Sequence, residues 1–226
     1  MTGLLASVVT LEEAKLAARF KVSIIDLKQP ANGALGALPV AEVRPIVNAL
    51  QPEHCLSATI GDLPMQPEPV RQAVQAMAAT GVDYVKIGFF TDGDWQPVLD
   101  ALASVEARLI AVLFADQPLD LQWLQAFKQA GFSGVMLDTQ NKRQSLTDWQ
   151  SLDQLEAFVN QAKRLNLLAG LAGSLRAEHV PRLLPLAADY LGFRGGLCRA
   201  GRRTSGIDEQ ALTQVSQCFA AAGNAA

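Results

Sequence analysis

The stretch "LLASVVTLEEAK", residues 4–15, decides the fold. Leu4 to Val9 is a short apolar run of core-strand length, and it passes directly into a helical opening. An open doubly wound sheet carries a glycine fingerprint at this first strand-to-helix turn, so that a dinucleotide pyrophosphate can approach the backbone. Here the turn reads "TLEEAK" with no G-x-G-x-x-G, and no P-loop occurs anywhere in the chain. The sheet is of another kind, and the number of strand–helix units that follow says which.

Further strands are expected at Val22–Lys28, Cys55–Ile60, Asp83–Gly88, Arg108–Ala115, Gly134–Thr139, Leu167–Gly173 and Tyr190–Gly195. Between them lie helical patterns. "PEPVRQAVQAMAATG" has proline near its start and Gly81 after its end. In "LDLQWLQAFKQAG" the apolar positions repeat at three and four before Gly131 stops the run. A last helix starts after Asp208, a plausible N-cap, and runs to about Ala220. Strand–helix alternation argues for parallel pairing, because parallel neighbours need crossover connections. Eight units in 226 residues make a single-domain (β/α)8 TIM barrel over residues 1–226, with about 221–226 as a frayed tail.

Half the residues are hydrophobic and 18% are charged, which favours a large core over disorder. A net charge of −3 gives no footprint for nucleic acid. No apolar run approaches the ~20 residues of a membrane-spanning helix. The start lacks a basic n-region and a cleavage signature, so the expected compartment is the cytoplasm. Cys55, Cys198 and Cys218 are odd in number and far apart, which argues against a disulfide frame, and two histidines make a His-rich metal centre improbable. A homo-oligomer is a weak expectation, since small barrels associate through helix faces.

In a barrel of this kind the site lies where strands end and βα-loops begin. Strand two ends in "IIDLKQP" with Asp26 and Lys28 on one face; strand four, "VDYVKIG", carries Lys86. Strand five ends at Asp116, strand six at Asp138 and strand eight at Arg194. Lys28, Lys86, Asp138 and Arg194 come from even-numbered strands and are expected to share one interior layer. Each has a bland alternative. Lys86 pointing outward would be an unpaired charge in an apolar space, so inward is the better placement. Asp26 reads as the orienting partner of Lys28. Asp116 is either a helix cap or a site residue. Lys142 is either surface or, four residues past Asp138, folded back over the mouth.

Two inward lysines suggest carbonyl chemistry. A lysine nucleophile must be neutral, and a second ammonium nearby together with burial lowers its pKa. Lys86 and Lys142 would act so on Lys28, with Asp26 and Asp138 holding geometry and shuttling protons. Glycine clusters supply phosphate-binding backbone: Gly173 and Ser174 after strand seven, Gly195 and Gly196 after strand eight, with Arg194 as a charged fork. A phosphorylated carbonyl substrate follows.

At these residues the sequence resembles the (5-formylfuran-3-yl)methyl phosphate synthases. The likeness rests on "IIDLKQPANGALGA", "LSATIGDLP", "DYVKIG", "FAD", "MLDT" with a lysine four residues after the aspartate, "LAGS" and "GFRGGLC…GID". Arg176 stands where lysine is common in the family. The resemblance implies a lyase of methanofuran biosynthesis that condenses two molecules of glyceraldehyde 3-phosphate, losing phosphate and water, with no metal or organic cofactor. It implies a Schiff base on Lys28, a proton acceptor at Lys86, and family site positions at Asp26, Asp138 and Lys142. The competing readings are a Schiff-base aldolase on another sugar phosphate and a non-catalytic barrel that binds phosphometabolites.

Overall fold

The computed structural model describes residues 1–223. The chain alternates β1 (Gly3–Val8), α1 (Leu11–Ala18), β2 (Ile24–Leu27), α2 (Val40–Leu50), β3 (Leu56–Thr59), α3 (Pro67–Ala78), β4 (Tyr84–Gly88) and α4 (Gln96–Leu102). It continues through β5 (Leu109–Phe114), α5 (Trp123–Gln129), β6 (Gly134–Asp138), α6 (Leu146–Trp149), α7 (Leu152–Arg164), β7 (Leu168–Leu171), α8 (Val180–Leu183), β8 (Tyr190–Phe193) and α9 (Glu209–Gly223). All eight expected strands form; the first is shifted back by one residue to Gly3–Val8, and each of the others is trimmed by a residue or a few at its ends. They pair in sequence order and in parallel, and β1 closes on β8 with Leu5 opposite Gly192 and Ala6 opposite Phe193. The fold is the expected closed (β/α)8 barrel. Of the expected tail, Ala221–Gly223 continue α9, and residues 224–226 lie outside the described residues.

Strand parity sorts the side chains. Along β5, Ile110, Val112 and Phe114 join the barrel interior, while Leu109, Ala111 and Leu113 face the helices. Each helix returns an apolar stripe to that outer face, as α3 does with Val70, Val74 and Met77, and α7 with Leu155, Phe158, Val159 and Ala162. Fully burying a Leu, Val or Phe contributes roughly 1.5–3 kcal/mol, so these stripes fix the helices more firmly than intrinsic propensity does. The helix signals are local and hold. Ser151 and Gln154 form a reciprocal capping box at α7, Asp208 accepts the Ala211 N–H at the start of α9, and Gly131 takes the positive φ of 83° that ends α5.

The floor of the barrel is filled by Leu5, Ile110, Tyr190 and their neighbours. Every polar strand residue of interest lies above that floor, toward the strand C-termini.

Candidate active site

The buried charges stack in two tiers rather than the expected single layer. In the lower tier Asp26 is wholly buried and accepts from Ser7 Oγ at 2.9 Å, Ser57 Oγ at 2.7 Å and Lys86 Nζ at 3.0 Å. The register explains this: Ser7, Asp26 and Ser57 lie side by side on β1, β2 and β3, so all three face inward together. Lys86 does point inward, 2% exposed. The expected partnership of Asp26 with Lys28 is corrected, because the carboxylate is taken up by Lys86 and the two serines. Burial alone would push the Asp26 carboxyl up. Lys86, Lys28 and the Ser57 hydroxyl outweigh it and hold the group below the ordinary carboxylate range.

The upper tier holds Lys28, Asp138 and Lys142. Asp138 Oδ1 accepts from Lys142 Nζ at 2.6 Å and from the Thr139 N–H at 2.7 Å, so Lys142 folds back over the mouth. Lys28 Nζ stands 3.8 Å from Asp138 Oδ2, beyond a good hydrogen bond, and donates at 3.3 Å to the Ala34 carbonyl. Burial opposes the charge on Asp138 too, but Lys142 and Lys28 bring its pKa down to about 2. For Lys28 burial works the other way. It pushes the amine down; Asp138 and Asp26 resist, Lys142 and Lys86 assist, and the result is about 8. Roughly a tenth of such an amine is neutral at pH 7, against a few parts in ten thousand for an ordinary lysine.

Both lysines line one cavity of about 120 Å³, a size for a small metabolite. Its far wall is built from the expected glycine loops: Gly173 and Ser174 after β7, Gly195 and Gly196 after β8. Gly173 has φ of 114°, and a Cβ there would come within 2.8 Å of Thr139, so only glycine lets this loop close against the loop after β6. Ser174 Oγ then donates to the Lys142 carbonyl at 3.1 Å, tying the two loops together.

Two expected roles are corrected. Arg194 reaches the cavity wall, but its five N–H groups are all engaged: Nε on the Arg203 carbonyl, Nη1 on Glu13 and the Ser7 carbonyl, Nη2 on Glu13 and the Ser205 carbonyl. It has no fork left for phosphate and ties β8 to α1. Asp116 does not line the cavity and does not cap α5, whose N-cap is Gln122. It accepts from the Gln140 and Asn141 N–H groups at 2.8 and 2.6 Å, bracing the loop that carries Lys142.

Sequence reasoning missed Ser7, Ser57 and Arg203. The serines interrupt the buried runs "LLASVV" and "CLSATI" at inward parity, which is a readable signal. Arg203 sits in the short basic cluster after the Gly-Gly pair; it and Arg176 line the cavity beside the glycine loops. Among the described residues no group of three His, Cys, Asp or Glu is placed to hold a metal ion, and no helix is long and apolar enough to cross a membrane.

A Methylorubrum extorquens protein, provisionally named (5-formylfuran-3-yl)methyl phosphate synthase, is 39% identical over 219 residues, 96% of this chain and 92% of that protein. The (5-formylfuran-3-yl)methyl phosphate synthase of Methanocaldococcus jannaschii is 31% identical over 95% of this chain and 98% of its own. Among solved structures, phosphoribosyl anthranilate isomerase from Thermotoga maritima superposes with a TM-score of 0.72 over 98% of this chain and 100% of its own, at 12% identity, a likeness of fold alone. The sequence profile of the family described as 4-HFC-P synthase matches residues 4–216, from the first strand to within the last helix, and with relatives of this closeness over nearly their whole length the chain belongs to that family of enzymes.

Proposed function

We propose that the chain condenses two molecules of glyceraldehyde 3-phosphate into (5-formylfuran-3-yl)methyl phosphate through an imine on Lys28, releasing phosphate and water, as a step of methanofuran biosynthesis. The observation that carries the reading is the pair of amines on one small cavity, one of them held off its carboxylate at 3.8 Å and depressed to about 8. The neutral Lys28 amine adds to the aldehyde carbon of one triose, and the carbinolamine loses water to give an iminium. Lys142 and Asp138, 2.6 Å apart beside the amine, relay the protons of that exchange. The iminium acidifies the neighbouring C–H, and Lys86 receives that proton as it passes its own to the Asp26 carboxylate 3.0 Å away. The enamine electrons then expel the phosphate on the third carbon or attack the second aldehyde.

Phosphate recognition falls to the backbone of the two glycine loops and to Arg176 and Arg203, in place of the occupied Arg194. The names of the relatives support the product. The test is incubation with glyceraldehyde 3-phosphate, followed by assay of free phosphate and product mass, with borohydride trapping and peptide mapping. Phosphate release, the mass of the furan aldehyde phosphate and label on Lys28 are expected. An imine without phosphate release would mark an aldolase instead, and label on Lys86 would reverse the two roles.

A further inference from the structure

The oxygen that accepts a hydrogen bond from the Lys28 amine belongs to the backbone. Ala34, whose carbonyl accepts from Nζ at 3.3 Å, lies in the loop after β2, and that loop is gripped from outside the strand. Asp62, in the loop after β3, takes two consecutive N–H groups on its two carboxylate oxygens: Ala34 on Oδ2 and Leu35 on Oδ1, each at 2.7 Å. Gly33 makes room for this. It has φ of 113°, and a Cβ there would lie 2.1 Å from Asp62 Oδ2. On the other side an Arg203 Nη2–H is donated to the Gly33 carbonyl. The peptide that ends in the Ala34 carbonyl is therefore fixed along the chain and across it.

We propose that Asp62 is a positioning residue for the imine-forming amine: by chelating the Ala34 and Leu35 N–H groups it holds the Ala34 carbonyl against Lys28 Nζ. The chemistry gives this carbonyl a use that a carboxylate cannot fill. A carboxylate at hydrogen-bond distance would favour the ammonium strongly and suppress the nucleophile. A carbonyl directs one N–H with far less preference for the charged form. A protonated imine carries a single N–H, and once that hydrogen points at Ala34 the C=N bond is turned away from the loop. Reactions that depend on such alignment lose up to about 100-fold for a displacement near 1 Å.

The inference rests on Lys28 being the imine-forming residue, and the experiment separates the two. The rate of borohydride trapping with glyceraldehyde 3-phosphate is measured with peptide mapping, together with kcat, KM and Tm, in the wild type, Asp62→Ala and Asp62→Asn. Because Asp62 is an exposed loop residue, both variants are expected to keep their Tm and KM. Trapping at Lys28 and kcat fall together by about 10- to 100-fold in Asp62→Ala, and by less in Asp62→Asn, which keeps one acceptor oxygen. An unchanged trapping rate at Lys28 in Asp62→Ala, or in Asp62→Asn should the alanine variant unfold, overturns the inference alone. A raised KM with kcat retained overturns it equally, since it assigns Asp62 to substrate. Wild-type label on a different lysine removes both this inference and the functional reading beneath it.

Discussion

Lys28 shows how one amine is kept reactive by what does not touch it. Its carboxylate neighbour Asp138 is drawn to Lys142 at 2.6 Å and stands at 3.8 Å from Lys28, so most of the charge that could steady an ammonium is engaged elsewhere. Lys142→Met should undo this twice, by removing a cation that lowers the Lys28 pKa and by freeing Asp138 to raise it. The acid limb of the pH–trapping profile, near 8 in the wild type, is expected to move to higher pH; a limb that stays or moves down would contradict the arrangement. The same burial has a cost in stability. With the folded value near 8 and the ordinary value 10.5, the unfolded chain holds a proton that the folded chain gives up between them, so this group's penalty is full below pH 8 and relieved as pH rises to 10.5. Lys28→Met, which leaves the Asp138–Lys142 pair in place, should abolish trapping yet stabilise the fold at pH 7 by on the order of 1–3 kcal/mol. Denaturant melts at pH 7 and 10.5 check this, the gain shrinking at the higher pH. The lysines were legible in the sequence because a charge inside an apolar run is conspicuous. Their pairing was not, since it depends on which carboxylate lies across the barrel and not along the strand.

At the scale of elements, the strand–helix rhythm was readable because each unit carries its own period, cap and stop. What joins distant elements was not. Arg194 directly follows β8 and looked free for a substrate, but its partner Glu13 is a first-turn glutamate of α1, 181 residues earlier in the chain. Glu13 also accepts from the Val9 and Ile207 N–H groups, so one side chain, with little exposure, joins the end of β1, the start of α1, the loop after β8 and the approach to α9. The opening stretch that excluded a dinucleotide turn thus supplies the residue that closes the barrel's seam. Removing one partner of a buried ion pair costs about 3–5 kcal/mol, because the other charge is left stranded. Glu13→Ala is expected to lower stability by that amount in chemical denaturation. Material that remains folded should still trap the aldehyde on Lys28, since neither amine touches this pair. A stable Glu13→Ala protein that has lost trapping would place Arg194 back in the reaction.

For the whole molecule, closure of the sheet makes one mouth and one floor, and the two are filled differently. On the β3–β5 side the mouth is occupied by the loop after β2: Leu35 sits over Gly88 beside Phe90, whose ring stacks on Phe114 at 4.9 Å. The open space is left to the β6–β8 side, where the glycine loops, Arg176 and Arg203 lie. Eight strands could be counted from the sequence, but this asymmetry could not, because it arises from one loop turning inward. The floor is sealed by Tyr190, whose ring is accommodated only because Gly170 faces it on the neighbouring strand; a Cβ at 170 would lie 2.3 Å from the ring. Gly170 on β7 is the direct register partner of Tyr190 on β8, so any side chain added at 170 meets the ring head on. Gly170→Ala overpacks this layer and should cost about 1–3 kcal/mol, read as a lower denaturant midpoint. Because the strain enters beneath the Asp26–Lys86 tier, the folded fraction should trap the triose on Lys28 at the wild-type rate. A variant of unchanged stability would mean that the floor is loosely packed, and a folded variant that traps slowly would mean that the chemistry reaches down to it.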